Sequence, residues 1–132
     1  LDLEPGRNPD FEFKGTFVGL IGNVKAYDKS TRFLEKDLNR SFTKENVALA
    51  QSTEIEKIDH PEIQELKEIL ESVDTLIAKY KPTRVIVVDL HTTTAFGGIF
   101  SISNDQQDSI NIAKALHAPV MTGFLGGVKG KI

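Results

Sequence analysis

Cysteine is absent from the 132 residues, which rules out disulfides and thiolate metal sites. No charge of one sign dominates. The formal net charge is −3, so there is no electrostatic case for nucleic acid or an anionic membrane surface. No apolar run approaches the roughly 20 residues that span a bilayer. Histidine is scarce as well: imidazole chemistry rests on His60, His91 or His117. What remains is ordinary for a globular domain, with 39% hydrophobic and 27% charged residues, and the length suffices for one core. A cytoplasmic location is the default expectation.

Turn formers dominate residues 1–10, which read as a surface loop. The stretch "FKGTFVGLIGN" (13–23) reads as a strand ending near Gly22. Residues 23–42 are polar and aperiodic. A loop of that length in a compact domain tends to be functional. Thr43 can cap a short helix running to about Gln51. The strongest helical pattern is "DHPEIQELKEILESVDTLIAKY" (59–80). There Asp59 and Glu62 suggest a capping box, Pro61 suits the first turn, and Pro82 ends the helix. Ile63, Leu66, Ile69, Leu70, Val73, Leu76, Ile77 and Tyr80 make one apolar stripe along it. Strands are expected at 84–90, 99–103 and 118–123, with a helix around 106–116. Strands alternating with helices predict an α/β fold: a mixed, largely parallel sheet flanked by helices.

Two stretches carry candidate chemistry. "RVIVVDLHTTT" (84–94) begins as a strand buried on both faces at Val85 to Val88 and ends on Asp89-Leu90-His91. Ligands of open α/β sheets bind beyond the carboxyl ends of strands. Side chains alternate, so Asp89 and His91 face the same way. This invites a carboxylate–histidine pair, or a metal ligand with a carboxylate behind it. The bland alternative is that His91 bonds locally at the strand end. The hydroxyls of Thr92, Thr93 and Thr94 more often satisfy turn backbone. In "STRFLEKDLNRSF" (30–42), Arg32 and Arg40 offer planar forks of donors, and Asn39 beside Arg40 can help grip a carboxylate. A solvated charged loop, in which the arginines pair on the surface with the carboxylates of the Glu35-Lys36-Asp37 run, is the competing view, and such pairs are worth little.

Taken in order, "GNVKAYDKSTRFLEKDLNRSF" and, about fifty residues later, "DLHTTT" resemble the aspartoacylase/succinylglutamate desuccinylase family, a branch of the zinc carboxypeptidase-like hydrolases. The family pattern is Gly-Asn-Pro-x-Ala, an arginine before an aromatic residue, Asp-Leu-Asn-Arg, then Asp-Leu-His. Val24 stands where the family usually has proline, which bears on turn rigidity more than on chemistry. The resemblance implies a zinc carboxypeptidase-like fold, present in part. It implies His91 as a zinc ligand and Arg32 as the group that polarises the scissile carbonyl. Asn39 and Arg40 become the clamp on the substrate carboxylate, and Asp37 a carboxylate behind a ligand histidine. Phe33, Leu38 and Phe42 are expected to pack. The implied reaction is zinc-dependent hydrolysis of the amide bond of a small N-acyl amino acid.

The resemblance also implies groups this chain does not match. The family's first two zinc ligands lie in a His-x-x-Glu motif upstream of the first strand, and no histidine here precedes His60. The family's general base is a glutamate well after Asp-Leu-His, and no glutamate follows Glu71. The expectation is that residues 1–132 are part of a single catalytic domain. They would lack its N-terminal zinc-ligand motif and its C-terminal portion. Alone, the chain is expected to be inactive and to hold zinc weakly. His60 and His117 are not expected to serve this site. Two other readings stay open: a carboxypeptidase acting on peptides, and a non-catalytic carboxylate-binding domain that has lost its metal.

Overall fold

The computed structural model describes residues 14–91 and 97–123. Among the described residues there are four α-helices: α1 (Val24–Asp28), α2 (Lys44–Ser52), α3 (Pro61–Tyr80) and α4 (Gln107–Ala115). Two short strands, β1 (Ser101–Ile102) and β2 (Val120–Met121), pair in parallel across α4. Helices and a small parallel sheet are compatible with the expected α/β class. Turns of 3₁₀ helix cover Leu38–Arg40 and Ile55–Lys57.

The helices start and stop where local chemistry says they should. The Thr43 hydroxyl accepts the Asn46 N–H at 3.2 Å and opens α2. Pro61 opens α3, where its missing N–H costs nothing. Lys81 closes it in the left-handed conformation, donating its N–H to the Ile77 carbonyl at 2.8 Å, just ahead of Pro82. The capping box expected at Asp59 and Glu62 does not form. The cap is His60, without a side-chain bond, because the Glu62 carboxylate is engaged by a distant loop.

The core sits between α2 and the first half of α3. Ala50, Ile58, Ile63 and Leu66 are buried there, with Leu38, Phe42, Val47 and Leu70 packed against them. Leu38 and Phe42 thus pack as expected, whereas Phe33 is exposed. The apolar stripe of α3 runs on past this core, and Ile77 and Tyr80 are exposed.

Two strand expectations fail. Residues 14–22 and 84–91 join no ladder, and the described sheet holds two strands. Val85 to Val88 are not buried on both faces; Val87 is 75% exposed and Leu90 87%. The physical reason is that β-propensity only marks a segment fit for a pleated surface. Burial on both faces and ladder hydrogen bonds need neighbouring strands, and among the described residues no strand pairs with either segment. The third, at 99–103, survives as the two residues of β1. Residues 23–42 are also more structured than a loop, since they hold α1 and the first 3₁₀ turn. Phe13, residues 1–10, Thr92, Thr93, Thr94 and the terminal "GGVKGKI" lie outside the described residues.

Candidate functional site

The site is built first on the segment from Asn23 to Ser41. Asn23 is buried and takes the left-handed conformation (φ 55°). Asparagine tolerates that region better than most residues. Its carbonyl accepts the N–H groups of Ala26 and Tyr27, and so starts α1. The chain then doubles back. Thr31 donates its N–H and its hydroxyl to the Ala26 carbonyl at 3.0 and 3.3 Å. The Asn23 amide reaches the Arg32 carbonyl at 3.4 Å. Arg32 therefore leaves a turn whose base is fixed.

Asp37 is the next node. Arg32 donates from Nε and Nη2 to Asp37 Oδ2 at 3.1 and 2.8 Å. The other carboxylate oxygen accepts the Asn39 N–H at 3.1 Å and caps the 3₁₀ turn. The Asp37 carbonyl accepts the Arg40 N–H at 2.8 Å. One aspartate thus holds the guanidinium of Arg32 and sets the turn that carries Asn39 and Arg40. Leu38, between Asp37 and Asn39, packs against the core. Arg32 is largely exposed, and its guanidinium has five N–H donors. Two serve Asp37, so three remain on a group that is always charged.

Beneath this loop lie two buried acids from α3. Glu62 accepts the Leu34 N–H at 2.6 Å, the Glu35 N–H at 3.3 Å and the Lys36 N–H at 3.4 Å. Glu65 accepts the Val24 N–H at 3.2 Å. Burial raises the Glu62 pKa, but the N–H groups of Leu34, Glu35 and Lys36 outweigh it and hold the carboxyl below its ordinary value. His60 flanks the same acid: its Nδ1 lies 3.5 Å from Glu62 and its Nε2 3.6 Å from Glu35. The sequence pattern gave Glu62 a capping role and left Glu65 unremarked. The available signal was two acids, three residues apart, set among the apolar positions Ile63 and Leu66.

The second part is the Asp89–His91 pair. His91 Nε2 lies 2.6 Å from Asp89 Oδ2, and both side chains are about half exposed. A carboxylate on one ring nitrogen leaves Nδ1 as the ligand atom of that imidazole. No hydrogen bond or ion pair among the described residues joins this pair to the Arg32 loop. Among the described residues, no group of three or more His, Asp or Glu side chains is placed to hold a metal ion. His117 follows α4 with a positive φ of 54°. A surface groove lined by Ala50, Gln51, Lys67, Leu70, Glu71 and Asp74 contains none of these site residues.

The model of the succinylglutamate desuccinylase/aspartoacylase catalytic domain matches residues 14–127. The chain belongs to that family. A probable aspartoacylase from Nostoc sp. is 32% identical over 100 residues, covering 76% of this chain and 30% of its own length. An aspartoacylase from Danio rerio is 33% identical over 92 residues, covering 70% of this chain and 27% of its own. The chain therefore spans less than a third of either relative. No solved structure matches it. The family match spans both the Arg32–Arg40 loop and the Asp89–His91 pair, which the described contacts leave separate.

Proposed function

We propose that this chain supplies one wall of a zinc-dependent hydrolase site that cleaves the amide bond of an N-acyl amino acid, of aspartoacylase or succinylglutamate desuccinylase type. The observation that carries this reading is family membership over residues 14–127. It is supported by the Asp37 node, which puts Arg32, Asn39 and Arg40, three residues able to donate to an anion, on one short loop.

The donor chemistry of His91 fits one ligand of a zinc ion, with Asp89 orienting the ring. One imidazole is a third of the usual catalytic set. Zinc, when bound, supplies an activated water nucleophile at neutral pH. The rest is work for this chain's own side chains. Arg32 directs its remaining N–H donors at the amide carbonyl and stabilises negative charge as it develops on oxygen. Asn39 and Arg40 hold the substrate carboxylate, Arg40 through the two-pronged geometry that an ammonium lacks. Asp37 keeps Arg32 in one orientation, so that little reorganisation is needed during the reaction. The partner is a small-molecule N-acyl amino acid.

The test offers acetyl-aspartate, succinyl-glutamate and blocked dipeptides to the complete, zinc-loaded protein. Hydrolysis of an N-acyl amino acid, abolished by a chelator and restored by zinc, is the expected result. Turnover of dipeptides alone would assign a carboxypeptidase. Tight binding of acyl amino acids without turnover would assign a non-catalytic binder.

A further inference from the structure

We infer that Glu62 and Glu65 are positioning residues: two buried carboxylates, one helical turn apart on α3, that hold the chain on either side of Arg32, at Val24 and at residues 34–36, in its working shape by its backbone. The inference deepens the proposed function and rests on it for the loop's purpose.

Three observations carry it. First, Glu62 and Glu65 are 0% and 3% exposed. Taking a carboxylate out of water is costly and stabilises little on its own account, so a helix that needed only packing would do better with an apolar side chain. Second, the bonds go to the segments that flank Arg32. Glu65 takes the N–H of Val24, where α1 starts. Glu62 takes three successive N–H groups, Leu34 to Lys36, in the stretch between Arg32 and Asp37. Consecutive N–H groups converging in this way form an anion-binding concavity. Third, these three N–H groups have no backbone acceptor among the described residues. The Glu62 carboxylate therefore sets the path of the chain there, and through it the distance Arg32 spans to reach Asp37.

The decisive variant is Glu62→Gln in the complete protein, with Glu62→Asp beside it. Glutamine keeps the volume but turns one acceptor oxygen into a donor that faces N–H groups. Amide exchange at Leu34, Glu35 and Lys36 should quicken by roughly 10- to 100-fold, the range for hydrogen bonds to a charged group. For the folded fraction, kcat on the N-acyl amino acid should fall by about tenfold or more. Glu62→Asp, which keeps the charge, should recover part of both. A merely structural acid would lower the unfolding midpoint and leave kcat of the folded fraction unchanged; that result overturns the inference. Unchanged exchange at the three amides overturns it as well. If Glu62→Gln does not fold, Glu65→Gln carries the same test through the Val24 amide. If the parent protein hydrolyses none of the substrates, the functional reading falls, while exchange at residues 34–36 still decides the anchor.

Discussion

The apolar stripe of residues 59–80 and the apolar run of residues 84–91 meet opposite fates. In the first half of that stripe Leu66 is wholly buried, Glu62 is buried and bonded, and the loop's polar backbone finds acceptors. In the run at 84–91, Val85, Ile86, Val87, Val88 and Leu90 are all more than half exposed, and no ladder forms among the described residues. The difference follows from how each kind of element is completed. A helix closes its hydrogen bonds within itself and needs one neighbour to bury one stripe. A strand buried on both faces needs partners at both edges and layers above and below. The candidate chemistry is divided along the same line, with the arginine loop on the completed side and His91 on the other.

The largest effect that would break this comparison lies in the core between α2 and α3. Leu66→Ala should cost about 2–5 kcal/mol of unfolding free energy, because the site is closely packed and cannot collapse around the loss. A urea titration checks it; a cost under about 1 kcal/mol would mean that the packed half is not packed. Next comes the loop itself. Arg32→Ala in the complete protein should lower kcat by roughly 100- to 1,000-fold, as for loss of one oxyanion donor. Arg32→Lys should restore little of it, because lysine cannot reproduce the fork on Asp37. An unchanged kcat would remove Arg32 from the reaction.

A smaller effect should appear with pH. The Glu62 carboxyl is held below its ordinary value in the folded chain, so its contribution to stability is fully present above the ordinary glutamate pKa. That contribution is lost as pH falls through the depressed value. Urea midpoints followed from about pH 6 downward should decline in that acid range, and Glu62→Gln should flatten the slope. The smallest effect belongs to the other region. Val87→Ala should change stability by less than about 0.5 kcal/mol, as for an exposed site. A loss above about 1 kcal/mol would show that residues 84–91 are covered after all.

The parts legible in the sequence were those whose signals are local. Thr43, Pro61 and Pro82 mark helix ends by their own chemistry, and α2, α3 and α4 stand where hydrophobic period and caps place them. Strands β1 and β2 were legible as short apolar runs on either side of α4, while their pairing was not. Helix α1 and the 3₁₀ turn were not, since elements of five and three residues are too short to show a period. They depend on Asn23 in a left-handed conformation and on Asp37 as a cap. In the site, Arg32, Asn39 and Arg40 stood out by residue type and order. The Arg32–Asp37 contact is the surface pairing that the charged run suggested. The grip of Glu62 on Leu34 did not stand out, because it joins groups that no pattern along the chain connects. The Asp89–His91 contact was legible, since alternation puts both side chains on one side.

The anchor follows the loop in the chain. Glu62 lies 28 positions after Leu34. At the usual pace of synthesis, roughly 5–20 residues per second, the arginine segment leaves the ribosome a second or more before the carboxylate that shapes it. Until then its amides have only water to bond with, and the nascent loop acquires its form once the helix behind it has been made.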